Sequence, residues 1–176
     1  AENLQEPPVA AAVLSADTLL DRAVTTEADL PQLAPGLSVR ASQNSNQLNY
    51  ALRGQSLDAF SATRPGVLPY VNEIQVGGGG GASAFYDLQS VQVLKGPQGT
   101  LFGRNATGGA VLFTTAKPVN ELDGYALARV GNYDLRQVEG AINVPVVDDA
   151  LLVRLSGFYQ EGDGYQKDLY KGERAG

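Results

Sequence analysis

The last third of the chain contains two consecutive segments in which apolar and polar residues alternate, and this pattern constrains the fold more than any other feature. From 135 to 144 one face is wholly apolar beyond Arg136, and from 151 to 160 one face is apolar throughout. The apolar positions are Val138, Gly140, Ile142, Val144, Leu151, Val153, Leu155, Gly157 and Tyr159. Alternation predicts β-strands, and about ten residues is the length with which a strand crosses a bilayer.

Short turns are expected around these two strands. Residues 145–149 would join them, and residues 131–134 would connect the first of them to a preceding strand at 124–130. Tyrosines fall near the expected strand ends, where an aromatic girdle borders a membrane: Tyr125, Tyr133, Tyr159 and Tyr165. A soluble antiparallel sheet with one buried face gives the same alternation, so the pattern alone does not choose between a membrane barrel and a soluble sheet.

The first 118 residues differ, because short strand-like runs alternate with glycine-rich turns. Ser15 is predicted to cap a short helix that runs to Leu20. Thr26 and Asp29 have the spacing of a capping box for a second helix, although Pro31 favours a start near Asp29. Further strands are expected at 8–14, 37–40, 49–53, 67–74 and 91–94. The change of character near Lys117–Pro118 predicts two domains, 1–118 and 119–176.

The residue inventory excludes most kinds of catalytic centre. The chain has no Cys and no His, so it lacks the thiolate nucleophile, the commonest general base and the usual zinc and haem ligands. A hydrolase using a carboxylate pair such as Asp87 and Glu73 stays open, but their spacing gives it no support. The net charge of −6 disfavours nucleic acid as a partner. We therefore expect no enzyme activity, no cofactor and no metal site.

The sequence gives no sign of a helical membrane anchor. No apolar run approaches the roughly 18 residues that a transmembrane helix needs, whereas membrane strands carry a weaker signal that this absence does not address. The chain also does not open with the basic and apolar regions of a signal peptide. We therefore expect a mature or truncated form if the protein is exported.

The most specific segment of the chain is 91–118, in which a glycine-rich stretch separates two strand-like runs. Its glycines permit tight reversals: Gly96, Gly99, Gly103, Gly108 and Gly109. A phosphate-binding loop would need Lys and then Ser or Thr after its last glycine, and Ala110 follows Gly109 instead. The segment therefore does not predict a nucleotide site.

As a whole, this segment resembles the plug signature of TonB-dependent outer-membrane receptors, which combines a Lys–Gly–Pro turn, an aromatic–Gly step, a Gly–Gly step and a closing Lys–Pro. The matching residues are Lys95, Gly96, Pro97, Phe102, Gly103, Gly108, Gly109, Lys117 and Pro118. Arg53–Gly54 is similar to the family's Arg–Gly strand end. Residues 70–73 stand where the family has a Tyr-x-Asp-Gly turn, but Asp–Gly is missing here.

The resemblance implies an α+β fold: a small mixed-sheet plug domain with short helices, followed by about three antiparallel strands of a truncated transmembrane β-barrel. It implies an uptake receptor in the outer membrane of a Gram-negative bacterium, a monomer whose barrel contacts lipid. The plug would gate the barrel and help to bind a metal–siderophore complex, haem, cobalamin or a glycan. The energy-transducing partner would be the TonB complex, whose contact box would lie before this chain.

The resemblance also implies roles for individual residues. Loops after Arg53–Gly54 and after Ile74 would bring substrate-binding side chains to the cavity: Gln55, Ser56, Gln75, Phe85 and Tyr86. Basic residues would pair with carboxylates of the barrel wall, and solvated surface charge is the alternative for them: Arg53, Lys95 and Arg104. The alternative for Phe85 is packing in the plug core. The alternative for the whole chain is a soluble β-rich ligand-binding module.

Overall fold

The computed structural model divides into two compact units, residues 1–116 and 117–176, called unit 1 and unit 2. It describes residues 10–41, 48–56, 66–76, 86–97, 107–163, 166–167 and 174–175. In this described part, every helix is too short or too polar to cross a membrane. The predicted boundary at 118 falls two residues after the division between the units.

Unit 1 combines a mixed sheet with short helices, which confirms the predicted fold class. Its described elements are β1 (Ala10–Ser15), α1 (Ala16–Asp21), a 3-10 helix (Glu27–Gln32), β2 (Leu37–Ala41), β3 (Leu48–Leu52), β4 (Gln55–Ser56), β5 (Val67–Val71), β6 (Ile74–Gln75), β7 (Leu88–Lys95) and β8 (Gly109–Thr115). A five-stranded sheet has the order β1-β7-β8-β5-β6, and a three-stranded sheet has the order β2-β3-β4. Only β5 and β8 pair in parallel among these strands.

Both helices begin where side chains satisfy free backbone groups. Ser15 accepts a hydrogen bond from Thr18 N at 3.3 Å and caps α1, as predicted. The Asp29 carboxylate accepts from Thr26 N at 3.0 Å, so the second helix begins at Glu27 and the alternative start near Asp29 is wrong. Pro31 lies inside this helix, which is a single short 3-10 segment with few backbone bonds to lose.

The run at 67–74, predicted as one strand, is a hairpin. Asn72 and Glu73 form a two-residue turn between β5 and β6, with φ of +47° and +69°. Two consecutive positive φ angles are typical of a type I′ turn, which suits the right-handed twist of the flanking strands. Asn adopts this conformation readily, whereas Glu does not, and the turn lies where the resemblance indicated one although Asp–Gly is missing.

The core of unit 1 lies between the five-stranded sheet, the three-stranded sheet and the helices. Leu30 of the 3-10 helix and Leu52 of β3 are fully buried with residues from the centre of the large sheet. Those sheet residues are Val67, Val91, Val93 and Val111. Burial of each such side chain contributes about 1.5–3 kcal/mol, so the two sheets and the 3-10 helix are held together by one apolar cluster.

Tyr50 and Glu27 form a buried polar pair within this core. Their exposed fractions are 4% and 6%, and the Tyr50 hydroxyl donates a hydrogen bond to the Glu27 carboxylate. Burial, and secondarily the charge and hydrogen bond of Glu27, raise the pKa of Tyr50 above its ordinary value. The pair connects the 3-10 helix to β3.

Unit 1 is therefore expected to lose stability in alkaline solution through Tyr50. An unfolded tyrosine releases its proton near pH 10 while the folded one keeps it, so this contribution is complete below about pH 10 and falls by about 1.4 kcal/mol per pH unit above it. Tyr50→Phe should remove this part of the slope. It should also cost about 1–3 kcal/mol at neutral pH, because Glu27 loses a donor.

Urea unfolding of the intact protein between about pH 8 and 11 measures both effects. The control is Tyr159→Phe, which removes a 3.2 Å hydrogen bond to Glu161 from an exposed Tyr–Glu pair. Equal alkaline slopes for the unaltered protein and for Tyr50→Phe would contradict the prediction.

Unit 2 contains the long antiparallel strands that the alternation predicts. Its described elements are β9 (Asp123–Val130), β10 (Arg136–Val147), β11 (Leu151–Glu161), β12 (Gln166–Lys167) and β13 (Arg174–Ala175). β10 lies between β9 and β11, and β12 pairs with β13. The predicted turn at 145–149 is too early, because β10 continues through Pro145 with a register irregularity between Pro145 and Val147.

Candidate functional site

Four glycines lie together at one end of the five-stranded sheet of unit 1: Gly66, Gly96, Gly108 and Gly109. We call this end of the sheet the glycine end. Gly96 N donates to Gly108 O at 3.1 Å, and Gly108 N donates to Gly66 O at 2.6 Å. Gly109 has a φ of +147°, and a Cβ there would lie 2.3 Å from the backbone oxygen of Leu94. Position 109 therefore requires glycine.

The Arg53–Gly54 turn lies close to the glycine end. Leu52 precedes this turn, and its Cδ1 atom would lie 2.6 Å from a Cβ on Gly109. Arg53 N also donates to Gly36 O at 3.2 Å, which ties the turn to the start of β2. Arg53 and Gly54 have φ of +52° and +80°, which again is typical of a type I′ turn, and the Arg53 side chain is exposed.

Of the plug-signature residues that the structure describes, five lie at the glycine end, whereas Lys117 and Pro118 follow the other end of β8. Lys95 ends β7 and is half-buried, Gly96 reverses the chain with a φ of +108°, and exposed Pro97 follows. Gly108 and Gly109 are buried at the start of β8. The remaining ones lie outside the described residues: Phe102, Gly103 and Arg104.

The opposite end of the same sheet, which we call the Asn72 end, is closed by a side chain. Asn72 Oδ1 accepts from Thr115 N at 3.1 Å, and Asn72 Nδ2 donates to Thr115 Oγ1 at 3.0 Å. Nearby, Ala116 N donates to Asp87 O at 2.9 Å, which holds the end of unit 1 against the segment before β7. The chain leaves unit 1 from this end.

The predicted substrate-binding residues do not collect at one end. Gln55 pairs with Leu52 near the glycine end, and Ser56 pairs with Ala51. Exposed Gln75 pairs with Tyr70 beside the Asn72 turn, and half-buried Tyr86 precedes Asp87 at the Asn72 end. Phe85 lies outside the described residues. Gln55 and Ser56 thus belong to the three-stranded sheet, whereas Gln75 lies on the five-stranded sheet and Tyr86 just before it.

Unit 2 exposes apolar side chains and buries polar ones, which reverses the pattern of a soluble sheet. Along β10, Ile142 is 50% exposed while its near neighbour Gln137, on the other face, is 2% exposed. Ile142 pairs with Leu155 of β11, which is 65% exposed. The exposed face continues through Val130, Val138, Val144 and Tyr159. This inversion is typical of a membrane strand with lipid outside and a polar interior, and not of a soluble β module.

The buried face of this sheet carries a connected polar group. Gln137 Nε2 donates to Glu139 Oε2 at 3.2 Å, and Arg129 Nη1 lies 3.5 Å from the same oxygen. Glu139 is buried, so these two contacts offset part of the cost of removing its charge from water. Across the described residues, no buried side-chain nitrogen or oxygen lacks a hydrogen-bond partner.

Comparison with known families explains why a mixed sheet and a membrane-type sheet occur in one chain. A family model described as the TonB-dependent receptor plug domain matches residues 3–110, which is more than half of the chain. The chain belongs to the TonB-dependent receptor family. Its location is therefore the outer membrane of a Gram-negative bacterium.

Similar TonB-dependent receptors match nearly the whole chain. The pesticin receptor of Yersinia pestis is 33% identical over 156 residues, which are 89% of this chain and 23% of that receptor. The catecholate siderophore receptor Fiu of Escherichia coli (strain K12) is 27% identical, over 93% of this chain and 21% of that receptor. The crystal structure of the ferric yersiniabactin uptake receptor FyuA from Yersinia pestis matches with a TM-score of 0.87 and 32% identity.

The match to FyuA covers 94% of this chain and 26% of that one, so this chain spans about a quarter of the relative's length. These relatives are named as receptors, which agrees with the expectation of a receptor. The sequence analysis did not predict the structural role of the Asn72 side chain. The available signal was an asparagine inside a run of strand-forming residues, which is typical of a turn. The sequence analysis also missed fully buried Asn143, a polar residue on the face expected to be polar.

Proposed function

We propose that this chain is the plug and the first barrel strands of a TonB-dependent receptor that takes up a ferric siderophore. The observation that carries the proposal is the combination of a plug-family match with a sheet whose apolar face is exposed. The relatives support the substrate class, since one is named for catecholate siderophores and another for ferric yersiniabactin. In this proposal residues 1–118 are the plug and residues 119–176 begin the barrel.

The plug closes the barrel in this proposal, and the TonB complex supplies the energy that moves it. No bond in the substrate is made or broken, so the chain needs binding groups and a movable domain and no catalytic group. Hydrogen bonds between polar surfaces and water exchange readily, which suits a domain that must stay seated and yet move. The receptor would act as a monomer with lipid around the barrel.

Radiolabelled iron uptake tests the proposal in cells that make the full-length receptor as their sole siderophore receptor. Uptake of a ferric siderophore should depend on the receptor and should stop when TonB is deleted. A panel of catecholate and other ferric siderophores and haem, each labelled with radioactive iron, and of cobalamin labelled with radioactive cobalt, identifies the substrate class. Uptake that is equal with and without the receptor for every ligand would end the proposal.

We propose that substrate contacts the plug through Gln55 and Ser56 at the glycine end, and not through the Asn72 end. Gln55 and Ser56 belong to a different sheet from Gln75 and directly follow the Arg53–Gly54 turn. The Arg53 cation on the adjacent turn favours an anionic ligand at the glycine end. The stacking role predicted for Tyr86, which lies at the Asn72 end, is not part of this proposal. Stacking by Phe85 and ion pairs of Arg53, Lys95 and Arg104 with the barrel wall stay predictions.

Gln55→Ala is expected to weaken ferric-siderophore binding by about tenfold, the loss that follows when a polar contact to the ligand is removed. Gln75→Ala is the matched control, since it makes the same chemical change near the Asn72 end and should leave the affinity within about twofold. Titration of the purified receptor, followed by fluorescence quenching, measures both affinities. A tenfold loss for Gln75→Ala with none for Gln55→Ala would place the binding surface at the other end.

A further inference from the structure

The segment that joins the two units is held to unit 2 by a buried amide. Asn143 of β10 is fully buried. Its Nδ2 atom donates to Val119 O at 2.7 Å and to Glu121 O at 2.5 Å, and its Oδ1 atom accepts from Val119 N at 3.0 Å. The side chain thus pairs with Val119 as a neighbouring strand would, although residues 119–121 belong to no strand.

A second amide holds the same segment from the opposite direction. Asn120 Nδ2 donates to Asp149 Oδ1 at 3.0 Å, and Asp149 N donates to Asn120 Oδ1 at 3.3 Å. Asp149 lies in the turn between β10 and β11 and has a φ of +57°. Residues 119–121 are therefore tied both to β10 and to the turn that follows it.

Just before this segment, the hydrogen bonds of the chain change from partners within unit 1 to partners within unit 2. Ala116 N donates a hydrogen bond to Asp87 O within unit 1, whereas Val119 N donates one to Asn143 Oδ1 within unit 2. Lys117 and Pro118 lie between them, and both are exposed. Pro118 has a fixed φ and restricts Lys117 to extended conformations, so this two-residue connection has few conformations available.

We propose that Asn143 is a positioning residue that anchors residues 119–121 to the first barrel hairpin and limits the joint between plug and barrel to Lys117 and Pro118. The inference rests on the proposed function, because it takes unit 1 to be the domain that moves. With this segment anchored, the freedom of the connection is confined to the two residues that precede it.

Asn143→Asp tests the anchor in the full-length receptor. The carboxylate has no N–H to donate and faces two carbonyl oxygens, so all favourable contacts of Nδ2 are lost. Hydrogen–deuterium exchange at residues 119–121 is expected to rise by about tenfold, since both Nδ2 bonds are lost while a side-chain oxygen that accepts from Val119 N is kept. Exchange at residues 124–130 of β9 should stay unchanged, because their partners are in the β10 backbone.

Two further variants make the test decisive. Asn132→Asp makes the same change in an exposed turn of the same unit and should leave exchange at 119–121 unaltered. Asn120→Ala removes only the exposed tie, cannot remove a buried contact, and should raise exchange at 119–121 by about threefold. Together these variants show whether a rise in exchange at 119–121 comes from loss of the Asn143 contacts, from the added charge or from unfolding.

Unchanged exchange at 119–121 in Asn143→Asp would overturn the proposal. An equal rise at 119–121 and at 124–130 would also overturn it, because Asn143 would then stabilise the sheet as a whole. Exchange is measured without any ligand, so it does not depend on transport. If the unaltered receptor takes up no ferric siderophore but the exchange pattern is as expected, the proposed function fails and the anchor stands.

Discussion

Gly109→Ala is expected to destabilise unit 1 by roughly 3–5 kcal/mol, the sum of a strained backbone conformation and an overpacked contact. The new Cβ would lie 2.3 Å from Leu94 O and 2.6 Å from Leu52 Cδ1. Leu52 can move only by disturbing the core, and Leu94 O belongs to the backbone of β7, which pairs with β8. No small adjustment therefore relieves both contacts.

Urea titration of the intact receptor, followed by hydrogen exchange at the amides of β7 and β8, measures this loss. Gly54→Ala is the matched control, since Gly54 also has a positive φ of +80° but has no atom within 4 Å of a built Cβ. It should cost only about 1–2 kcal/mol from backbone strain. Equal losses for the two variants would show that steric contact at Gly109 contributes nothing.

Leu155→Lys is expected to prevent stable insertion of the barrel or to destabilise it by about 2–4 kcal/mol, the cost of a Lys on the lipid face near the bilayer midplane. Leu155 is at the middle of β11, opposite Ile142, and both side chains are exposed on the apolar face. A soluble sheet would tolerate Lys at an exposed position at almost no cost. The variant thus separates a membrane strand from a soluble one.

Ser156→Lys is the control, because the next residue along β11 points to the opposite, polar face. It should insert and fold almost as the unaltered receptor does. The measurement is the heat-dependent gel mobility and the urea midpoint of the full-length receptor refolded in lipid vesicles. Normal insertion of Leu155→Lys would argue against lipid contact at this face.

Local sequence cues predicted the elements whose hydrogen bonds are made nearby. Ser15 capped α1, and the Thr26–Asp29 box started the second helix, because both depend on residues three apart. The alternation predicted β10 and β11, because period 2 is a property of the strand itself. It did not reveal which face was exposed, since the same pattern suits water outside a soluble sheet and lipid outside a barrel.

The arrangement of the candidate site could not be read from the sequence, because it depends on pairings between distant strands. The sequence grouped Gln55 with Gln75 as residues of two neighbouring loops. In the structure, β5 pairs in parallel with β8, and β3 lies near the start of β8 through the contact of Leu52 with Gly109. These long-range pairings place Gln55 and Gln75 in different sheets.

The pairing of β1 with β7 has a consequence for how this polypeptide acquires its structure. Ala10 is opposite Lys95 in the register of β1 and β7, so the first strand has no partner until most of unit 1 has been synthesised. β10 and β11, in contrast, are adjacent in sequence, so they can pair progressively from the turn that joins them. Contacts between distant residues form slowly and leave unsatisfied strands exposed in the meantime. The β1–β7 pairing of this polypeptide should therefore form later than its β10–β11 hairpin.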